Sequence, residues 1–383
     1  MDQSAVSETY AARLRFAERA SAHARELTIH TPRLPGRIAF VEDKQVDLAT
    51  VAELLSAPAT CNQWANRGPL YMTLAEAFHD HMGLSPGVAV TPCANGGLAL
   101  EAMARLLEMR NGRPLRWVGS AFSFGNLGRG WFADMALVDC GADGMLDLDA
   151  VAALGPDRYD GIVVTNIFGI WRDFARYAEF AEASGKLMLI DNAAGIGRDV
   201  PDWPWQSFSL HHTKPYGAGE GGFAITPAEE AEALYSLMNY GDLEPDTEPY
   251  WINNAKLSDI ACAFHLDRLS READWAPRYA EQAARVDAIA TGCGLAPLVE
   301  APSPRPAMSL PFLGPRAIPV ERVRVGGALQ CAKYYKPLAR RPRTEALFER
   351  IVNIPCHPDL ALLDDDELTA VIDGLIAPGP DDA

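Results

Sequence analysis

From Gly87 to Thr226, short apolar runs alternate with stretches of helical periodicity. The runs are GVAVT (87–91), RWVGS (116–120), MALVD (135–139), GIVVT (161–165), KLMLID (186–191), SFSL (207–210) and GGFAIT (221–226). Most are apolar on consecutive positions, the pattern of strands covered on both faces. Between them lie LALEAMARLLEM (98–109) and DFARYAEFAEASG (173–185), which repeat as amphipathic helices. This alternation predicts an α/β fold, with a mostly parallel seven-stranded sheet covered by helices. Upstream, 9–27 reads as an amphipathic helix with Leu14, Phe16 and Ala17 among its apolar positions. After Gly241 the character changes. The polar stretch DLEPDTEPYW (242–251) leads to helices around Asp259–Leu269 and Ala280–Ala290, a proline-rich region (301–319), KYYKPL and a last helix over 364–376. The expected organisation is an N-terminal helical extension (1–30), a large domain (31–245) and a smaller C-terminal α+β domain (246–383).

Composition narrows the function. A chain of 383 residues suits a two-domain enzyme. A formal net charge of −17 argues against nucleic acid as a partner, because phosphate neutralisation needs a basic surface. No apolar run reaches the length of a membrane span. The opening MDQSAVSETY lacks the features of a secretory signal. The seven cysteines stand singly at 61, 93, 140, 262, 293, 331 and 356, with no CxxC pair. Free thiols in a cytoplasmic protein are the expectation.

Four segments carry candidate chemistry. FSLHHTKPYGAGEGG (208–222) sets Lys214 just beyond a strand, ahead of a glycine-rich turn. A lysine there would point into the crevice where open α/β sheets bind ligands. Such a lysine reacts with an aldehyde once it is partly desolvated; a surface loop lysine is the alternative. In LMLIDNAAGIG (187–197), Asp191 ends a strand and could face a cofactor's ring nitrogen or cap a following helix. In TPCANGGLALEAMARLLEM (91–109), a turn opens a helix whose N-terminus could hold a phosphate. GSAFSFGN (119–126) offers Phe122 and Phe124, of which one could stack on a flat ring or simply fill the core.

Together these segments resemble the DegT/StrS-type family of sugar aminotransferases, which depend on pyridoxal 5′-phosphate (PLP) and share the fold type I architecture. The resemblance runs from about Leu34 to Leu375. FSLHHTK is similar to the family's FSFHxTK, which implies that Lys214 carries the cofactor and Ser209 donates to its phosphate. Asp191 falls on the aspartate of the family's DAAxAxG pattern. NRGPL (66–70) is similar to TNxGPL, and KYYKPL (333–338) to a motif near the active-site mouth. IVNIPCHPDL is like a terminal LPLHP segment. NNAKLSDIACA (253–263) resembles a stretch whose asparagine, here Asn254, reaches the phosphate held by the neighbouring subunit.

Departures accompany these matches. Cys93-Ala94-Asn95 replaces the usual Ser-Gly-Thr of the phosphate turn, Ala194 replaces a Gln or His, and Met238 replaces an arginine. The resemblance implies transamination in two half-reactions. Lys214 and Asp191 are the catalytic pair. Ala94, Asn95, Phe124, Ser209 and Asn254 join them in binding PLP. A small-molecule amino donor (L-glutamate), a keto-sugar acceptor and a homodimer with shared sites complete the expectation. No metal is expected. Other relatives act on cyclitols, some replace the lysine by histidine and dehydrate sugars, and a cofactor-binding scaffold without turnover would need neither Lys214 nor Asp191.

Overall fold

A computed structural model of the chain describes residues 13, 15–23, 36–171, 173–241, 253–299, 305–325 and 327–377. The seven strands lie where the apolar runs place them: β1 (Val88–Cys93), β2 (Trp117–Ser120), β3 (Ala136–Val138), β4 (Gly161–Thr165), β5 (Leu187–Asp191), β6 (Gln206–Ser209) and β7 (Gly222–Pro227). They form one sheet in the order β1-β7-β6-β5-β4-β2-β3. Neighbouring strands from β3 to β6 are parallel, and β7 runs antiparallel to both β1 and β6. Two reversals restore direction, so β1 runs the same way as β6. The carboxyl ends of β1, β5 and β6 therefore share one edge with the amino end of β7.

Both faces of the sheet are covered, as consecutive apolar residues demand. In β4, Val163 packs with Leu100, Met103 and Leu106 of the helix Gly96–Asn111, while Ile162 and Val164 face a different core. In β5, Leu189 and its neighbours Met188 and Ile190 divide in the same way. The second core runs into the C-terminal region, where Phe312, Ile351 and Ile354 join it. There β8 (Ala296–Pro297), β9 (Ser309–Leu313) and β10 (Ile351–Pro355) form an antiparallel sheet in the order β10-β9-β8. The main helices used below are α1 (Pro69–Met82), α2 (Gly96–Asn111), α3 (Ala175–Ser184), α4 (Asp259–Ser270), α5 (Glu272–Gly292) and α6 (Asp365–Ile376).

Three sequence expectations change in detail. Helix α5 begins eight residues before Ala280 and contains Pro277. Buried Trp275, Ala276 and Tyr279 anchor its first turns, and that packing outweighs the hydrogen bond the proline removes. Of the expected helix over 9–27, residues 15–23 are helical and the ends lie outside the described residues, as do 242–251. The last helix keeps its expected end, and its start carries a capping box between Asp364 and Glu367. All seven cysteines are free thiols.

Two of the sequence motifs turn out to be one structural unit. Asp259, from the NNAKLSD stretch, is fully buried and accepts hydrogen bonds from Leu70 N (3.0 Å) and Tyr71 N (3.2 Å) at the start of α1. Helix α1 thus borrows its N-terminal acceptor from α4, and the carboxylate complements the positive end of its dipole. Asp259→Ala leaves two buried N–H groups without acceptors and should cost about 3 kcal/mol, read from urea unfolding. Asp259→Asn should lose less, since one acceptor remains.

Candidate active site

Asp191 closes β5 and is 3% exposed. Residues 192–205 form turns and bends with no helix, so its carboxylate caps none. Instead Oδ1 accepts from Ala193 N (3.3 Å), and the Asn126 side chain also hydrogen-bonds to it. Burial pushes its pKa up; the Ala193 amide, the Lys214 charge and Asn126 oppose that shift. Behind it lies a buried amide network: Asn166 Nδ2 donates to Asn192 Oδ1 (2.7 Å), and Asn192 Nδ2 donates to Gln206 Oε1 (3.0 Å). This fixes the turn after β5 to the start of β6.

Lys214 lies in the 210–221 connection between β6 and β7. That connection bonds to itself: Leu210 N reaches Gly221 O, His212 N reaches Gly219 O, and Gly217 N reaches Lys214 O at 2.9 Å. The residue keeps some exposed surface, but its ammonium is enclosed. Burial lowers its pKa and the Asp191 carboxylate opposes the shift. Each group thus feels the other's charge, and the two predicted catalytic residues face one region of the molecule. Lys214 is not the solvated surface lysine of the alternative reading.

The turn after β1 sits beside them. Asn95 caps α2 through its Oδ1, which accepts from Leu98 N (2.9 Å). Ala94 N donates to Ala255 O (2.7 Å), which brings Asn254, exposed on this chain, next to the turn. Ser209 is nearly buried at the end of β6, and its Oγ accepts from His211 N (3.2 Å). Close backbone approach makes glycine necessary here. A Cβ on Gly222 would lie 2.5 Å from both Asn95 C and Gly96 N, and one on Gly96 would lie 3.0 Å from Phe208 O. The start of α2 is therefore pressed against the strands that carry Ser209 and lead into the lysine loop.

The two phenylalanines separate cleanly. Phe122 is wholly buried, whereas Phe124 is 59% exposed and meets Tyr335 edge-on at 6.4 Å between ring centroids. Tyr335 also stacks on Phe168 at 4.9 Å and accepts from Phe168 N; burial raises its phenol pKa, and the Asp191 charge adds to that shift. Tyr335 and Asn126 are thus site residues that the individual motifs did not single out. Both lie inside quoted segments, KYYKPL and GSAFSFGN, but neither carries a signal apart from position. Ala194 abuts Gly169, where an added Cβ would meet its carbonyl at 2.4 Å, so position 169 has no room for a side chain.

His265, on α4, lies beneath the lysine loop. Its Nε2 meets Glu220 O at 3.0 Å, and burial lowers its pKa to about 4 from 6.5. Between those values the unfolded chain binds the extra proton. Stability present above pH 6.5 should therefore fall, on the order of 3 kcal/mol, as pH drops through 4. Urea midpoints measured across that window should show the loss, and His265→Gln should flatten the slope.

A mostly parallel seven-stranded sheet with one antiparallel strand, bearing an enclosed lysine and carboxylate at its carboxyl edge, defines the fold type I class of PLP enzymes. The chain belongs to the DegT/DnrJ/EryC1/StrS aminotransferase family, whose family model matches residues 46–310. Among curated relatives, it is 28% identical over 250 residues to protein Rv3402c of Mycobacterium tuberculosis, a match covering 61% of this chain and 60% of the relative. It is 26% identical over 240 residues to a Streptomyces kanamyceticus protein provisionally named L-glutamine:3-amino-2,3-dideoxy-scyllo-inosose aminotransferase, covering 57% and 54%. The matches thus span less than two thirds of these relatives. The crystal structure of DesI, determined with its TDP-sugar product, aligns with a TM-score of 0.71 at 21% identity, covering 91% of this chain and 93% of that one. Among the described residues, no helix is long and apolar enough to cross a membrane, and no three His, Cys, Asp or Glu side chains gather as a metal site would need.

PLP, the cofactor of this family, fits the residues at the sheet edge. An anion-compatible helix start stands against glycines that admit no Cβ, and a buried carboxylate lies across from the lysine. Asn126 Oδ1 is buried without a partner among the described residues, leaving an acceptor beside Asp191.

Proposed function

We propose that this protein is a PLP-dependent aminotransferase that moves an amino group from L-glutamate to a nucleotide-linked keto-sugar. The observation that carries the reading is the enclosed Lys214 amine facing the buried Asp191 carboxylate at one sheet edge, each within reach of the other's charge. When bound, PLP supplies an electron sink for charge released at the donor's α-carbon. Asp191 holds the proton on the ring nitrogen, and its burial strengthens that pairing. The Lys214 Nζ takes the α-proton and returns it; desolvation keeps the amine in its neutral, basic form. Asn95 at the start of α2, with Ser209, holds the phosphate; Ala94 only shapes that turn, because its N–H is already given to Ala255 O, and Phe124 covers the ring face.

Asn254 serves the neighbouring subunit's phosphate in a two-fold homodimer. Its exposure on this chain supports that role, as do exposed Trp64, Met72 and Ile260 around the α1–α4 contact. Sedimentation analysis should give a dimer, and a monomer at micromolar concentration would remove the shared site.

DesI's TDP-sugar supports a nucleotide-linked acceptor, while the Streptomyces relative's name supports a cyclitol ketone and L-glutamine as donor. The test is direct. Purified protein should show a visible cofactor band that an amino donor bleaches, and borohydride should fix the cofactor on Lys214. Glutamate set against glutamine, and a TDP-keto-sugar set against an inosose, then separate the two readings.

A further inference from the structure

The connection that bears Lys214 presents carbonyl oxygens inward, and buried carbonyls must find donors. They find them on residues outside every motif quoted above. Lys44 Nζ donates to His212 O (2.6 Å), Gly217 O (2.7 Å) and Lys214 O. An ammonium has three N–H donors and no acceptor, so this cage of three oxygens matches it in number. Arg268 Nε donates to Pro215 O (2.9 Å), and its guanidinium forms a buried ion pair with Glu42 (2.7 Å). Tyr279 OH donates to the same Glu42 carboxylate (2.9 Å), and Trp275 lies 3.9 Å beneath the guanidinium. With His265 at Glu220 O, five carbonyls of the loop are held by side chains remote in sequence.

We propose that Lys44 is a positioning residue for Lys214: its ammonium clamps the loop backbone and sets both the place and the charge environment of that lysine. This rests on the functional reading above, since a lysine that shuttles a proton must be held within a fraction of an ångström. Donors that carry charge make the stronger hydrogen bonds, which suits them to holding a loop still. The clamp also sets a cation near Lys214, disfavouring a second charge there. Glu42, Arg268, Lys214, His212, His265 and His357 are the charged and titratable groups whose fields reach Lys44. Burial, Arg268 and Lys214 push Lys44 itself down to about 7, and the Glu42 carboxylate opposes that shift.

Lys44→Met keeps the stem and removes every donor, whereas Lys44→Gln keeps two N–H donors without charge. In the full-length holoenzyme, hydrogen exchange of amides 211–214, 216 and 217 should be at least about tenfold faster in Lys44→Met, with Lys44→Gln between it and wild type. The pH midpoint of the visible band of Lys214-bound cofactor should rise by about one unit in both variants, because a nearby cation is gone. A merely structural contact would alter exchange without moving that midpoint equally in both. Exchange and midpoint indistinguishable from wild type in both variants would overturn the proposal. Should Lys44→Met fail to fold, the Lys44→Gln comparison decides alone. Failure of the functional reading shows separately, as wild-type protein that borohydride does not mark at Lys214; loop exchange then still decides whether Lys44 holds the backbone.

Discussion

Lys214→Ala is expected to lower amino-group exchange by on the order of 10³-fold or more while leaving the fold intact. The lysine supplies both the bond that holds the cofactor and the base that moves the proton, so the two losses fall on one substitution. Its ammonium is enclosed and disfavoured by burial, and removing it relieves a desolvation cost. The variant should therefore melt no lower than wild type in the absence of cofactor. Steady-state exchange with labelled glutamate, read beside a thermal melt, separates the outcomes. Exchange at the wild-type rate would end the reading, and a collapsed melt would place Lys214 in the framework of the fold instead.

Asp191→Asn should separate chemistry from stability still more sharply. Burial raises the pKa of this carboxylate, so its charged form weakens the native state at neutral pH, where the unfolded chain carries it in water. The sign follows: for an acid whose folded pKa is raised, stability falls as pH climbs through the unfolded value toward the folded one. Removing the charge should raise the melting temperature of the cofactor-free protein. It should also cut turnover by about 10²- to 10³-fold, because a preorganised partner for the ring nitrogen disappears. A rise in melting temperature with unchanged turnover would reassign Asp191 to a polar contact of no catalytic consequence. A carboxylate kept where it weakens the fold is the mark of a functional position.

The strands were legible because each is apolar on consecutive residues, and a run such as GIVVT admits few other structures of that length. The order of the sheet was not, since nothing in GGFAIT distinguishes an antiparallel partner from a parallel one. Local spacing also brought out Lys214, Asp191 and the Asn95 turn, which stand at strand ends beside glycines. It could not choose for Asp191 between ring partner and helix cap; the absence of a helix over 192–205 removes the cap. Phe122 and Phe124 are two residues apart and so fall on the same side of an ideal strand, yet one is buried and the other open, because β2 has already ended at Ser120. Lys44, Asn126 and Tyr335 were invisible as members of the site. Their partners lie 65 or more residues away, and a lone lysine or asparagine carries no period.

The antiparallel placement of β7 has a bearing on how such a site can change over descent. Lys214 belongs to a hairpin, so the chain leaves and re-enters the sheet at the same rim, with no crossover helix to be repacked. Residues added at Ala218, beyond the last carbonyl that Lys44 holds, would lengthen the reversal without entering that clamp. Phe208 would still lie opposite Phe223, and Ser209 opposite Gly222. A lineage could thus reshape what approaches the amine from outside while the lysine and its carboxylate counterpart keep their mutual setting.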